Sequence, residues 1–300
     1  IVFGDWSSDV CSSDLWIMLI AYVVIFMVPV LYGGSLAFAK LTGWNFYVLM
    51  WLTVIIVGVY SVKGGRFSVM WADAWQCCML VGGGVILFLV ALNKIPGGWS
   101  AMVQANPERF HLYKPPDDKI APFLGLIFAS FGVFLFYQAA NQVMIQRVFG
   151  ARSTWDGLMG IIFAGFINRL RPLVTCFLGF IVYHWVYEMK MTEPLANRDM
   201  AFPFALQNFA PTWGLRGIIL AGFLAAVMST ISGLSNSTAT IFSLAVYKKV
   251  INPQADDSKT VFVGRSAAVL ALCIAAMLAP IVQYLGGIFM YFQKGVTFLA

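Results

Sequence analysis

The stretch GFLAAVMSTISGLSNSTATIFSLAVY, residues 222–247, is an uncharged segment of helix length that carries a dense run of hydroxyl and amide side chains. Inside a lipid bilayer such groups face the interior of a helix bundle, where they bridge helices or line a path for a ligand or ion. In a helix the side chains at i+3 and i+4 lie beside the carbonyl of residue i, and Ala226, Ser229 and Thr230 have that spacing. The Ala226 carbonyl and the two hydroxyls can therefore converge as neutral oxygens, the donor type that a small hard cation takes. Ser229, Ser232, Asn236, Thr240 and Ser243 continue the spacing as one polar stripe. On spacing alone a second reading stays open: the hydroxyls bond their own i−4 carbonyls and act as glue between close-packed helices.

The surrounding composition sets the class. Of 300 residues, 60% are hydrophobic and 11% charged, and the mean hydropathy is +0.82. These values exclude an ordinary soluble domain and predict an all-α polytopic membrane protein with the lipid bilayer as its surroundings. The net charge of +6 then marks cytoplasmic loops, so nucleic acid is not an expected partner. Apolar runs of spanning length fall at about 16–38, 46–62, 74–92, 122–146, 157–185, 214–246 and 264–284, with another begun at 286, for about eight spans. Alternating the loops puts Lys63/Arg66, Arg147/Arg152 and Lys248/Lys249/Lys259/Arg265 inside, and the long loops 93–121 and 187–213 outside. Pro29/Gly33/Gly34, Gly82/Gly83/Gly84 and Pro172 interrupt spans, as discontinuous helices around a midplane binding site do.

Other chemistry has little support. Cys77, Cys78, Cys176 and Cys273 lie in apolar segments without disulfide or zinc spacing and are expected to be packing residues. His111 and His184 stand alone. The sequence has no HExxH, no Gly-x-Ser-x-Gly and no paired intramembrane carboxylates, so an enzyme is not expected. Residues 1–15, IVFGDWSSDVCSSDL, lack the basic and apolar regions of a signal peptide. They resemble translated sequencing-adapter read-through, with a short periplasmic or cytoplasmic tail as the alternative. Residues 16–300 are then the transmembrane domain, a fragment that stops inside an apolar run.

Three stretches together carry a resemblance. YSVKGGRFSVMWADAWQ at 60–76 is similar to a Tyr-x-x-x-Gly-Gly-x-x-x-Val-x-x-x-Asp-x-x-Gln pattern, and YQAANQVMIQRVFGA at 137–151 contains Asn-Gln-x-x-x-Gln-Arg. VMSTISGLSNSTATIFSLAVYK at 227–248 is similar to Met-Ser-Ser-x-x-x-x-x-Asn-Ser-x-x-Thr-x-Phe-x-x-x-x-Tyr-Lys. In this order and separation they resemble the sodium:solute symporter family, which includes the sodium/glucose cotransporters. The resemblance implies the leucine-transporter-type inverted repeat of five plus five core helices, which the chain would enter at about the third helix and leave within the tenth.

Sodium sites in that family take ligands from an unwound first helix and from the eighth. The resemblance carries the eighth-helix half over to Ala226 through its carbonyl, Ser229 and Thr230, the last a hydroxyl-preserving departure from serine. Ser232 falls where some members place a further sodium ligand, although Gly233 lacks the neighbouring hydroxyl. Asp73 falls on the family's intracellular ion pathway; by position alone it is equally a solvated interfacial charge near Lys63 or Arg66. Tyr137 corresponds to the aromatic gate beneath the sugar and Gln293 to a tenth-helix glutamine that hydrogen-bonds sugar hydroxyls, against plainer readings as a core aromatic and an interfacial polar residue. Phe134 stands where an asparagine contacts sugar, and Asn168 where some members use a lysine. Asn141, Gln142, Gln146 and Arg147 close the sixth core helix in a structural or gating role. The implied activity is sodium-coupled symport of a small organic solute, first of all a sugar or polyol, with Na+ as the co-transported ion, in a multi-pass cell membrane location such as the bacterial inner membrane. Uptake of an amino acid, choline-like cation, vitamin or monocarboxylate, or the transporter-like sensor domain of a histidine kinase, are the alternatives.

Overall fold

The computed structural model describes residues 12–111, 113, 115–117, 122–135, 141–211 and 214–297, and among them every regular element is a helix. Helix α1 runs over Ser12–Ile20, widens to a π-helix over Ala21–Met27 and continues as an α-helix over Val28–Thr42. The wide stretch runs up against Pro29. In π register the carbonyl of residue 24 looks to the N–H of residue 29, and a proline has none. The Tyr291 hydroxyl donates to that Val24 carbonyl at 2.8 Å.

Helix α2, Phe46–Asn93, is one helix of 48 residues. The turn expected at Lys63/Arg66 is absent, because the helix continues through 62–69. No proline falls between 46 and 93. Gly64 and Gly65 each cost about 1 kcal/mol in a helix interior, too little to break one of this length. Its apolar parts remain distinct as Phe46–Ser61 and Met70–Asn93. Beyond it, Phe123–Leu135 and Gln142–Val148 occupy the expected 122–146 span. Helix α3 is interrupted near Pro172, as expected, into Thr154–Asn168, Arg171–Val174 and Cys176–Tyr183, ending in the π-helical His184–Glu188.

Helix α4, Leu215–Thr240, passes into a π-helix over Ile241–Ile251. Helix α5, Asp257–Leu278, tightens into a 3-10 turn over Ala279–Leu285, and α6, Ile288–Thr297, follows two glycines at φ 95° and 89°. Five segments among the described residues are long and apolar enough to cross a membrane: Trp16–Thr42, Met70–Asn93, Thr154–Glu188, Arg216–Ile251 and Asp257–Leu285. The chain is a multi-pass membrane protein. Cys77, Cys78 and Cys176 are exposed, which corrects their reading as packing residues; each sits on an outward helix face, where a thiol is tolerated.

The described residues fall into two compact units, one drawn from 1–80, 196–203 and 214–300, the other from 81–195 and 204–213. In the first, α1 and α4 run antiparallel, with Trp16 against Phe242 at one end and Phe38 against Phe223 at the other. Tyr22, Met27, Leu31, Ile231 and Leu272 are fully buried between α1, α4 and α5. Two glycines bring the helices close to α4. A Cβ on Gly34 would lie 2.6 Å from Val227 Cγ1, and one on Gly222 would lie 3.1 Å from the Met79 carbonyl oxygen. Backbone at Met79 cannot yield as a side-chain tip can, so Gly222→Val should cost about 2 kcal/mol and lower the thermal midpoint in detergent. Gly217→Ala, with nothing within 4 Å of the added carbon, is the control, and equal midpoints for the two variants would contradict the α2–α4 contact.

In the second unit, Lys94 Nζ donates to the Asn208 carbonyl at 2.6 Å, at the end of the helix Ala201–Asn208. Arg109 stacks 3.7 Å above the Tyr183 ring.

Candidate functional site

The polar stripe of α4 divides into two kinds of hydroxyl. Thr238 donates to the Leu234 carbonyl and Thr240 to that of Asn236, each at 2.9 Å, while Ser243 reaches the Thr240 carbonyl at 3.4 Å. Ser235 reaches across to the Ala268 carbonyl of α5 at 3.5 Å. This lower half is helix glue, the plainer of the two sequence readings. Higher up, Thr230 Oγ1 donates to the Ala226 carbonyl at 3.0 Å in the same i−4 pattern, which also places the predicted carbonyl and hydroxyl side by side. Ser232, fully buried, donates to the Ser229 carbonyl at 3.0 Å.

Ser229 differs from the rest of the stripe. Its hydroxyl leaves the helix and donates to Asp73 Oδ1 on α2, across 156 positions of sequence. Two residues assigned separately, one as an ion ligand and the other to an ion pathway, are thus one polar pair, and Asp73 is more than a solvated charge at an interface. A hydroxyl that gives its proton to a carboxylate keeps its lone pairs free and becomes more electron-rich, which improves it as a ligand for a cation. Nearby, the Tyr60 hydroxyl donates to the Met228 carbonyl at 2.9 Å and holds α2 to α4 one residue before Ser229. Tyr60 had no assigned role in the sequence, although it opens the first motif.

The candidate ligands here are the Ala226 carbonyl and the Ser229 and Thr230 hydroxyls, with the Asp73 carboxylate behind Ser229. All are hard oxygens. Among the described residues no group of three or more His, Cys, Asp or Glu is gathered as a transition metal would need. The set fits an alkali cation carried as cargo. Thr230 is exposed, and Ser229 and Asp73 are half-buried.

The remaining predicted residues are placed separately. Gln293 lies in the first unit, exposed on α6. Asn168, in the second unit, is the exposed last residue of Thr154–Asn168. Asn141 is buried, and its side chain accepts from the Val143 N–H at 2.9 Å as the cap of Gln142–Val148. Arg147 Nη1 donates to the Val143 carbonyl at 3.1 Å in the same short helix. Asn141 and Arg147 thus bond to the backbone of their own segment, with Gln142 as the first helical residue. Tyr137 lies outside the described residues, as does the Phe134 side chain.

The sodium:solute symporter family model matches residues 12–300. The sodium/glucose cotransporter of Vibrio parahaemolyticus is 34% identical over 301 residues, covering 93% of this chain and 54% of that protein. The sodium/mannose cotransporter of Bos taurus is 28% identical, with coverage of 90% and 50%. The sodium/myo-inositol cotransporter of Mus musculus is 25% identical, with coverage of 99% and 46%. The chain spans about half the length of these relatives. Among solved structures, a substrate-bound, outward-open Na+-coupled sialic acid symporter superposes with a TM-score of 0.77 over 94% of this chain and 62% of that one, at 19% identity. At that identity the likeness shows the fold, and the all-α, partial leucine-transporter-type architecture read from the sequence is the one observed.

Proposed function

Because the chain belongs to the sodium:solute symporter family, we propose that the protein is a sodium-coupled symporter of a small hydroxylated solute, a sugar or polyol, working by alternating access in a bacterial inner membrane. The observation that supports the ion half most directly is the Ser229–Asp73 pair beside the Ala226 carbonyl and Thr230. Sodium is held on α4 by the Ala226 carbonyl and the Ser229 and Thr230 hydroxyls, with Ser232 in a supporting position. Asp73 polarises Ser229 and draws the ion along its path. Residues 16–300 supply this transport domain, and the first helix and the family match, which both begin at residue 12, take in 12–15 as well. Sugar or polyol is favoured by the relatives whose names carry glucose, mannose and myo-inositol. An amide such as Gln293 also suits a hydroxyl partner, because it both donates and accepts. The Vibrio relative supports the bacterial location.

Coupling requires sodium to bind the two conformations with different free energies. The driving force is the sodium gradient plus about 2.3 kcal/mol per charge per 100 mV of membrane potential. The direct test is uptake of radiolabelled sugar and of proline by the full-length transporter with and without sodium. Sodium-dependent sugar uptake supports the reading, sodium-dependent proline uptake alone overturns the solute, and sodium-independent uptake overturns the coupling. Within that assay Gln293→Ala should raise the sugar KM about tenfold, the scale of a lost hydrogen bond, and change sodium half-saturation much less. Equal loss of both would contradict a solute role for Gln293.

A further inference from the structure

Helix α6, which carries Gln293, is fastened by two polar contacts that the ion site does not use. At its N-terminus the Ile288 N–H donates to Asp199 Oδ2 at 3.2 Å. The first N–H groups of a helix lack partners within it, and a carboxylate there also complements the helix dipole. Asp199 comes this close because Gly287 has no side chain: a Cβ there would lie 2.7 Å from Oδ2, and φ is 89°. The backbone that carries the carboxylate is itself held, since Asn197 Oδ1 accepts from the Asp199 N–H at 3.2 Å. One turn further along, the Tyr291 hydroxyl takes the Val24 carbonyl that Pro29 cannot satisfy, at 2.8 Å.

Apolar contacts follow the same line. Ile288 lies over Gly33, Ile25 over Gly295, and the Phe26 and Phe292 rings meet edge to face at 5.6 Å. Gln293 is two residues beyond Tyr291, about 200° around a helix of 3.6 residues per turn. While Tyr291 is turned to α1, Gln293 is therefore presented on the opposite side, where it is exposed. The two polar contacts fix both the height and the rotation at which it is presented.

We propose that Asp199 and Tyr291 are positioning residues for the solute, holding α6 in the pose in which Gln293 meets it. The proposal rests on the reading of Gln293 as a solute contact. Neither residue touches the solute. Loss of either contact lets α6 populate other poses, and the apparent affinity falls by the fraction still competent.

The test uses the full-length transporter with Asp199→Ala, Asp199→Asn, Tyr291→Phe and Gln293→Ala. Two readouts are taken: amide exchange at Ile288 without solute, and uptake kinetics. Asp199→Ala should speed exchange at Ile288 by about tenfold, the scale of a lost cap. Asp199→Ala and Tyr291→Phe should each raise the solute KM by about tenfold through the competent fraction, with kcat and sodium half-saturation within about twofold. Asp199→Asn keeps an acceptor of the same shape and should bring KM back to within about threefold of the parent. Unchanged exchange at Ile288 in Asp199→Ala overturns the contact itself. Faster exchange with unchanged KM in both Asp199→Ala and Tyr291→Phe overturns the positioning role, provided Gln293→Ala does raise KM. If Gln293→Ala also leaves KM unchanged, the solute assignment of Gln293 has failed, and the exchange result still decides whether Asp199 fastens the helix. Tyr291→Phe changes a single oxygen, so it remains informative if Asp199→Ala fails to fold.

Discussion

In the full-length transporter, Ser229→Ala raises the sodium concentration for half-maximal uptake by about tenfold to a hundredfold. Two losses act together. One oxygen leaves the proposed ion site, and the Asp73 carboxylate loses the hydroxyl that donates to it. A polar contact to a charged group contributes about 1.5–3 kcal/mol, so the lost oxygen ligand is roughly ten- to 150-fold in the binding constant. The matched control is Ser237→Ala on the same helix. Ser237 is fully buried and its hydroxyl has no hydrogen-bond partner among the described residues, so its removal should leave sodium dependence unchanged and cost little stability. Sodium curves shifted alike by both substitutions would show a general disturbance of α4 in place of a lost ligand.

Asp73→Ala has the larger expected effect, because it removes a charge as well as a hydrogen bond. A cation held on the Ser229 hydroxyl would lie about 5 Å from the carboxylate. At an effective dielectric of about 20 that attraction is about 3 kcal/mol, or a hundredfold or more in sodium affinity. Asp73→Asn separates the two contributions, since the amide oxygen still accepts from Ser229 while the charge is gone. If Asp73 serves the ion through its charge, Asn and Ala both lose affinity, with Asn falling less. If it serves only as the acceptor for Ser229, Asn restores sodium half-saturation to within about twofold of the parent. The measurement is the sodium dependence of uptake, with surface abundance of each variant as the normalising quantity.

What could be read in the sequence depended on the range of each contact. Ala226 and Thr230 are four residues apart, so helical geometry alone puts a hydroxyl beside a carbonyl, and the structure has them at 3.0 Å. The same local rule accounts for Thr238 and Thr240, which is why spacing could not tell ligand from glue. Ser229 is set apart by a partner 156 residues away, and no periodicity encodes such a pair. Tyr60 on Met228 and Tyr291 on Val24 were hidden for the same reason. Pro29 was visible as an interruption of α1, but which side chain would answer the open carbonyl was not. The turn expected at 63–66 failed differently. Two glycines and two basic residues resemble a loop in an apolar chain, yet glycine permits a turn without requiring one, and α2 continues through. Asn141, read as structural or gating, caps its own short helix, a role that its position before Gln142–Val148 would have allowed from sequence.

The central claim is that one alkali ion rests on the oxygens of α4 beside Asp73. Binding of radioactive sodium to the purified full-length transporter, parent against the Ser229→Ala/Thr230→Ala double variant, tests it without reference to any solute. The expected result is saturable binding by the parent and affinity at least about tenfold weaker in the double variant, with both proteins folded at the assay temperature. Equal sodium affinity in two folded proteins would contradict the claim.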